Sequence, residues 1–393
     1  MTRLLACQEL GLGLGHLNML APVAGALSVL GHDSWLAVRD LAAAKALPCQ
    51  PFARTLQAPI WLGSRLTLPA LTLGQVYADG GFADDEALVA LVGGWLALFE
   101  LIGPGAIYTE HAPAALLAAH VAGLPAARIG TPFTCPPASR PMPALMPDAT
   151  LSVAERAAAD AVADRVIRAV CRHYGAPVLG GLWELLDRAP AFLASLPALE
   201  SPDGRRDTAF YGPLSGIGAA AVAEWPDTPG PRIFVYIPFD RPMAAPLAQA
   251  LATRGWPVIW MCSSAPTFPL PGTIAHEREP LDPALVLADS VLAVTRGGHG
   301  LALDALTAGC PQLLLPDRQE AQCHAWRLAA QGLGHIAPAW DAATLGDLLD
   351  AMVQSDAPER AAARAMAATL AGHDPQAATQ RLARDMAQAL RLD

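Results

Sequence analysis

Short apolar runs alternate with longer helical stretches from the first residues of the chain onward. Arg3–Gln8 and Asp33–Val38 have the length and apolar content of buried strands. A helix is expected between them from about Asn18 to Leu30, with Gly31 in the position of a helix C-cap. Because a strand, a helix and a second strand in succession are the unit of a parallel sheet covered by helices, this pattern predicts an α/β fold.

The alternation continues through the first half of the chain. Gly105–Thr109 predicts a strand, Ala112–Ala122 an alanine-rich helix and Ala126–Gly130 the next strand. A proline-rich segment, residues 131–147, follows. Since proline lacks the N–H that a central strand needs, this segment is expected to lie over a surface or a cleft rather than in the sheet.

A proline-rich linker divides the chain. Residues 226–231 read Pro-Asp-Thr-Pro-Gly-Pro, and a strand at Arg232–Ile237 then restarts the alternation. With 393 residues the chain is long enough for two domains. The predicted organisation is an N-terminal domain (1–225), the linker (226–231), a C-terminal domain (232–374) and a last helix (375–393), for which a return to the first domain is one option.

Composition narrows the classes of protein. A net charge of −10 argues against nucleic-acid binding, which needs a surface with an excess of basic residues. The longest apolar run, residues 87–99, is too short to cross about 30 Å of hydrocarbon, so we expect a buried helix and no membrane span. The seven cysteines form no Cys-x-x-Cys pair, which disfavours a metal site or disulfide framework and favours reduced thiols in the cytoplasm.

The most informative stretch, residues 293–316, predicts a strand, a glycine-rich turn, a helix, a tight turn and another strand. Gly297, Gly298 and Gly300 allow close approach of a ligand, and the positive end of the helix favours a diphosphate there. Asp304 falls about one turn into that helix, where its carboxylate can meet a ribose hydroxyl. A purely structural alternative stays open, because any parallel α/β protein needs a turn between strand and helix.

Thr295–Gly334 resembles the donor motif of the UDP-glycosyltransferase superfamily, which includes bacterial macrolide and antibiotic glycosyltransferases. That motif runs His-Gly-Gly-x-Gly-Thr, Leu-Glu, Gly-Val-Pro, and then Pro with an acidic-Gln pair. The resemblance implies a GT-B architecture, in which two Rossmann-like domains with parallel sheets face each other across a cleft. The residues that it assigns to the donor diphosphate are Arg296, Gly297, Gly298, His299 and Gly300, and those for ribose and sugar are Asp304, Glu320 and Gln322.

Three positions depart from the motif. Arg296 replaces the histidine that touches the diphosphate, a task that a permanently charged guanidinium can also perform. Leu301 replaces a hydroxyl residue, which removes one phosphate contact. Ala321 replaces the amide residue that follows the acid in the family motif, so the identity of the transferred sugar is not determined. Gln322 or His324 could supply the missing contact.

The glycine-rich turn near the N-terminus, Gly11 to Asn18, suggests a dinucleotide site at first sight. In a Gly-x-Gly-x-x-Gly fingerprint, however, His16 or Asn18 would have to be glycine, which disfavours an oxidoreductase. The same residues resemble the N-terminal Gly-His motif of the glycosyltransferases. This resemblance implies that His16, expected at the carboxyl edge of the first strand, is the general base for an acceptor hydroxyl.

A base histidine needs a group that fixes its tautomer. Glu110 occupies the place where the family has an aspartate after a mid-domain strand, so the resemblance implies that it orients His16. The alternatives are that His16 is structural and that Glu110 caps the following helix. His111 is a weaker candidate for a contact with the substrate.

Together these features predict an inverting glycosyltransferase. It would transfer a sugar from a UDP- or dTDP-sugar to a hydroxyl of a small-molecule acceptor, with the nucleotide-sugar as co-substrate and without a further cofactor or metal. Two other classes stay open: a non-catalytic sugar-nucleotide-binding homologue that assists another transferase, and a nucleotide-sugar epimerase on the same fold. Loss of donor hydrolysis on His16→Ala would argue against the first, and a new sugar isomer formed without acceptor would reveal the second.

Overall fold

The computed structural model describes residues 2–11, 13–47, 49–63, 70–146, 151–200, 208–216 and 224–392. The chain forms two compact units, Met1–Ile217 together with Asp374–Asp393, and Gly218–His373. The last helix therefore belongs to the first unit. Trp225, which the sequence analysis placed in the N-terminal domain, packs with the second unit, where the guanidinium of Arg232 lies 5.4 Å from the centre of its ring.

The first unit is built on one parallel sheet. Its strands are β1 (Arg3–Gln8), β2 (Asp33–Val38), β3 (Thr55–Gln57), β4 (Ala106–Glu110), β5 (Ala126–Gly130) and β6 (Ala191–Leu193). They are hydrogen-bonded in the order β3-β2-β1-β4-β5-β6, so β1 pairs with β2 on one side and with β4 on the other. In open α/β sheets, ligands bind at the carboxyl ends of the strands beside such a reversal of strand order.

Helices cover both faces of this sheet. They are α1 (Leu14–Val29), α2 (Leu41–Lys45), α3 (Leu73–Tyr77), α4 (Asp85–Ile102), α5 (Pro113–Ala122), α6 (Val153–His173) and α7 (Leu182–Asp187), with a π-helical turn at Ala78–Phe82 and a 3₁₀ turn at Pro197–Leu199. Alternate residues of β1 enter opposite cores, because side chains of a strand point to alternating faces. Leu4 and Ala6 pack with α1, and Leu5 and Cys7 pack with α4 and α5.

The second unit repeats the same topology. Its strands are β7 (Ile233–Tyr236), β8 (Val258–Met261), β9 (Ile274–Glu277), β10 (Leu292–Thr295), β11 (Gln312–Leu314) and β12 (His335–Ile336), in the order β12-β11-β10-β7-β8-β9. Its helices are α8 (Ala244–Arg254), α9 (Pro283–Ala288), α10 (His299–Ala308), α11 (Gln319–Ala330), α12 (Ala342–Met352) and α13 (Pro358–Leu370). The reversal of strand order here lies between β7 and β10. The prediction of an α/β fold with parallel sheets is confirmed.

The chain then returns to the first unit as α14 (Pro375–Ala389). Leu382 and Met386 of this helix are fully buried in the core that contains α1. At its periphery the hydroxyl of Tyr211 donates a hydrogen bond to the Asp385 carboxylate at 2.7 Å. α14 therefore supports the helix that carries His16.

The long apolar run at residues 87–99 forms a helix, as expected, but only one face of this helix is buried. Asp84 caps α4 by accepting a hydrogen bond from the N–H of Ala87 at 2.9 Å, and Gly103 ends the helix with φ of 62°. Trp95 lies on its buried face with no exposed surface. No helix in the described part of the chain is long and apolar enough to cross a membrane.

Two local predictions are corrected by the structure. α1 begins at Leu14, four residues before the expected start, because Gly13 takes φ of 86° and acts as its N-cap. His16 therefore lies in the first turn of a helix, beyond the strand edge where it was expected.

The proline-rich segment forms none of the strands, as expected, but its residues 131–137 are buried and do not lie over a surface. The hydroxyls of Thr131 and Thr134 accept hydrogen bonds from backbone N–H groups within this turn. These bonds satisfy polar groups that burial would otherwise leave without partners.

Candidate active site

A buried contact between a histidine and a glutamate marks the carboxyl ends of β1 and β4. Gln8 and Glu110 are opposite each other in the register of these two strands, and Glu110 is the last residue of β4. The Nδ1 atom of His16 lies 2.8 Å from Oε2 of Glu110. Glu110 has no exposed surface and His16 is 7% exposed, so the structure brings the two predicted residues together in a place of low dielectric.

Gly11 packs directly against the ring of His16. Its φ is 83°, a backbone conformation that favours glycine, and a Cβ atom at this position would lie 2.1 Å from Nε2 of His16. Any side chain here would clash with the nitrogen that faces away from Glu110. The glycine-rich turn therefore leaves room for the imidazole, which is a different role from binding a phosphate.

His111 follows Glu110 and lies beside the dyad. Its ring centre is 6.2 Å from that of His16, and about the same distance, 5.9 Å, from those of Tyr77 and Phe133. Its φ of 49° is in the left-handed region, which is uncommon for a residue other than glycine. The turn after β4 is thus held in an unusual conformation next to the candidate base.

In the second unit, the glycine turn after β10 is only partly open to a ligand. The N–H of Gly297 donates a hydrogen bond to Oγ1 of Thr295 at 3.0 Å, and a Cβ here would lie 3.1 Å from the carbonyl oxygen of Ala321. This glycine is therefore required by packing against α11. Its amide is already bonded within the turn, so a diphosphate contact by Gly297, which stays a prediction, would have to replace the bond to Thr295.

Gly298 and Gly300 keep the predicted open space. An added Cβ at either position would have no described atom within 4 Å, and Gly298, the N-cap of α10, offers no side chain to its first turn. His299 is the first residue of this helix. Because the first N–H groups of a helix carry partial positive charge, this end can receive an anion.

Arg296 is engaged by a carboxylate. Its Nη1 donates to both oxygens of Asp317, at 3.1 and 3.3 Å, and Nε of Arg241 lies 3.5 Å from the same carboxylate. One largely buried aspartate thus bridges two arginines near the carboxyl ends of β7, β10 and β11. Sequence reasoning missed Arg241 and Asp317, since their link to Arg296 spans separate strands. A diphosphate at Arg296 has to share the guanidinium with Asp317 or displace it.

Asp304 lies on α10, where the resemblance places the ribose-binding acid. Burial raises the pKa of its carboxyl to about 6, and the nearby carboxylate of Asp282 adds to this rise. Asp282 itself caps α9 through the N–H of Ala284. A half-buried carboxylate with spare acceptor capacity suits a ligand that brings hydroxyl donors.

The predicted sugar contacts divide between two sides of α11. Glu320 is partly buried, and its Oε1 lies 3.5 Å from Nε2 of His324. The centre of the His324 ring lies 4.8 Å from that of His299, so this contact joins the first turn of α10 to the second turn of α11. Gln322 is exposed. Of the two residues that could compensate for Ala321, the structure groups His324 with Glu320.

Comparison with solved structures identifies the fold. The chain is similar over 99% of its length to 99% of the glycosyltransferase SnogD from Streptomyces nogalater, with a TM-score of 0.65 and 19% identity. It is similar over its whole length to 99% of CalG4, the calicheamicin glycosyltransferase, with a TM-score of 0.71 and 18% identity. No family model and no curated protein matches the chain.

A third structure carries a ligand. The spinosyn rhamnosyltransferase SpnG, in complex with thymidine diphosphate, matches 97% of this chain with 99% of its own, at a TM-score of 0.66 and 21% identity. The chain therefore has the two-domain GT-B fold of bacterial antibiotic glycosyltransferases. The expected resemblance is confirmed at the level of the fold.

Proposed function

We propose that this protein is an inverting glycosyltransferase, which moves a sugar from a nucleoside-diphosphate sugar to a hydroxyl of a small molecule. The observation that carries the proposal is the buried pair of His16 and Glu110, 2.8 Å apart at the strand ends of the first unit. Solved structures of the same fold, SnogD and CalG4, are glycosyltransferases, which supports the same class of reaction here.

The first unit supplies the base. With Nδ1 of His16 2.8 Å from Oε2 of Glu110, the Nδ1–H group donates a hydrogen bond to the Glu110 carboxylate. The lone pair of the neutral imidazole is then on Nε2, the atom that takes the proton of the acceptor hydroxyl. As the hydroxyl proton moves to Nε2, the hydroxyl oxygen forms a bond to the anomeric carbon. The bond between that carbon and the diphosphate oxygen breaks at the same time, so a single displacement inverts the configuration.

The second unit supplies the donor site. The uncapped first turn of α10, with Gly298 and Gly300, stabilises the charge of the leaving diphosphate, and the guanidinium of Arg296 adds a fixed positive charge. Arg241 is a second cation within reach of the same carboxylate, Asp317. Two proteins of similar fold, SpnG and the glycosyltransferase VinC, have thymidine diphosphate bound in their structures, which supports dTDP-sugars among the donors.

Recognition of the sugar and ribose is assigned to two carboxylates. Asp304 accepts hydrogen bonds from ribose hydroxyls, and Glu320 accepts them from sugar hydroxyls. His324, next to Glu320, replaces the amide that this chain lacks at Ala321.

The test is transfer by the purified chain from a panel of dTDP- and UDP-sugars to small hydroxylated acceptors, with the anomeric configuration of the product read by NMR. We expect an inverted product and a loss of kcat of about 10²–10⁴-fold in His16→Ala, the usual contribution of a general base. His173→Ala, an exposed histidine of the same unit, is the matched control and should retain full activity.

Three outcomes would contradict this proposal. Retained configuration in the product would exclude a single displacement. Donor binding without hydrolysis or transfer, unchanged in His16→Ala, would indicate the auxiliary binding protein. A new sugar isomer formed without acceptor would indicate an epimerase.

A further inference from the structure

Helix α5, which begins just after the dyad acid, has no capping side chain of its own. Its N-cap is Ala112 and its first residue is Pro113. Instead, the carboxylate of Glu9, in the loop after β1, accepts hydrogen bonds from the N–H groups of Ala114 at 3.0 Å and of Ala115 at 2.5 Å. Glu9 is only 4% exposed. A residue more than 100 positions away in sequence thus caps this helix.

A backbone hydrogen bond joins the same two segments at a second point. The N–H of Leu10 donates to the carbonyl oxygen of His111 at 2.9 Å. His111 is the residue with the left-handed backbone, immediately after Glu110. Such a conformation persists only when surrounding contacts hold it. The loop that follows β1 and the turn that follows β4 are therefore joined by hydrogen bonds next to His16 and Glu110.

A capping residue from a distant part of the chain stabilises the helix and also fixes the position of the helix relative to its own segment. A serine or aspartate at position 112 would satisfy the first N–H groups of α5 locally. Glu9 satisfies them and also fixes the distance between the loop that leads to His16 and the turn that follows Glu110. Burial raises the pKa of Glu9 to about 8, and the two backbone N–H groups oppose this rise because they bond to the charged form.

We propose that Glu9 is a positioning residue, whose carboxylate holds the turn after β4 in place and so keeps Glu110 against His16. The inference rests on the proposed function for its meaning, but the geometry of the dyad can be tested without any substrate. Glu9 acts through Glu110 and has no contact with the reacting atoms in this account.

The first measurement is the NMR titration of the His16 ring in the wild type, Glu9→Ala and Glu110→Gln. A nearby carboxylate stabilises the protonated ring, so Glu110→Gln is expected to move the titration midpoint to lower pH. Glu9→Ala should move it in the same direction by at least half as much. Asp160→Ala is the matched control: Asp160 is equally buried, at 4% exposure, and accepts hydrogen bonds from Thr72 and from the N–H of Met142.

The second measurement is steady-state transfer over a range of pH from 6 to 9.5. We expect kcat to fall about tenfold in Glu9→Ala with the donor KM unchanged, since misplacing a catalytic group affects the chemical step. Glu9→Gln keeps one acceptor oxygen and should fall between wild type and Glu9→Ala. It also carries both measurements if Glu9→Ala does not fold.

A purely structural cap would behave otherwise. If the Glu9 variants lower the Tm as Asp160→Ala does, but leave the His16 midpoint and kcat at wild-type values, the positioning role is wrong. If the wild type transfers no sugar while the His16 midpoint still shifts in Glu9→Ala, the positioning role stands and the proposed function is wrong.

Discussion

Gly11 and His16 are in contact just after β1, and the imidazole fits there because Gly11 has no side chain. The sequence motif identified both residues, and it named Glu110 as the partner of the histidine. It could not show that the glycine serves the ring, because that contact depends on the φ of 83° at Gly11 and on the early start of α1. Arg296, similarly, was recognisable as a cation, but its bond to Asp317 was not.

Replacement of Gly11 by alanine tests this contact. The new Cβ would lie 2.1 Å from Nε2 of His16, so Gly11→Ala should displace the ring and lower kcat by at least about 10²-fold, the usual contribution of a general base. Gly13→Ala is the matched control, because Gly13 has a similar φ of 86° but open space around it. Both variants carry positive-φ strain, on the order of 1–3 kcal/mol.

Steady-state kinetics and urea unfolding separate the two effects. The expected pattern is a loss of stability in both variants, larger in Gly11→Ala because of the added clash, with the loss of kcat confined to Gly11→Ala. Equal kcat in both variants would show that the contact between Gly11 and His16 has no catalytic consequence.

Asp304 predicts a pH dependence of stability. Its pKa is raised by burial to about 6 in the folded state, so the folded state binds this proton more tightly than the unfolded state. This contribution is fully present below the unfolded pKa of about 4 and is lost as pH rises through about 6.

Removing the charge should reverse that loss. We expect Asp304→Asn to raise the free energy of unfolding at pH 8 by on the order of 2 kcal/mol, and to have little or no stabilising effect at pH 4. Urea unfolding at the two pH values measures this. The same variant should bind donor more weakly, and an equal change in stability at both pH values would refute the assignment.

Among the secondary-structure elements, the strands carry the candidate site residues at or just after their carboxyl ends. The sequence predicted where most strands lie, but not which residues meet at their ends. Strand positions followed from apolar runs, and β1, β2 and β5 have the expected bounds. The proline-rich segment was correctly placed outside the sheet, but the burial of residues 131–137 was not foreseen, because the hydroxyl hydrogen bonds that make it possible cannot be read from composition. The link between β10 and β11 through Arg296 and Asp317 likewise needed the three-dimensional structure.

The bridge of Asp317 predicts competition with the donor. Asp317→Asn removes a negative charge from between Arg241 and Arg296, so we expect the nucleotide Kd to fall several-fold and its salt dependence to steepen. Asp289→Asn is the matched control, because Asp289 pairs with Arg232 at the same 3.1 Å on an exposed surface of the same unit. Calorimetric titration with dTDP and UDP measures both. Weaker binding in Asp317→Asn would mean that Asp317 orients the arginines rather than competes for them.

At the scale of the whole molecule, one chain builds the same sheet topology twice and then returns to the first unit with α14. The repeat of alternating strands and helices on either side of residues 226–231 made this duplication predictable. The contact between α14 and α1 was harder to predict, because the pattern of an amphipathic helix shows that one face is buried but not which element covers that face. Through α1, this last helix supports the position of His16.

Truncation of one buried side chain in each unit tests whether they unfold separately. Leu382→Ala in α14 should lower the stability of the first unit by about 2–5 kcal/mol, the usual cost of such a cavity. Leu345→Ala, equally buried in α12, should do the same to the second unit. Calorimetry should show two unfolding transitions, and each variant should lower the Tm of only one of them. A single transition lowered equally by both variants would show that the units unfold together.

In the proposed reaction Glu110 holds His16 as the base for an acceptor hydroxyl, and this pairing is tested by the pH–rate profile of Glu110→Gln. We expect kcat for glycosyl transfer to fall about 10²–10⁴-fold and the acidic limb of the profile to move to lower pH, because the protonated imidazole loses its carboxylate. A profile that coincides with that of the wild type in height and position would contradict the account.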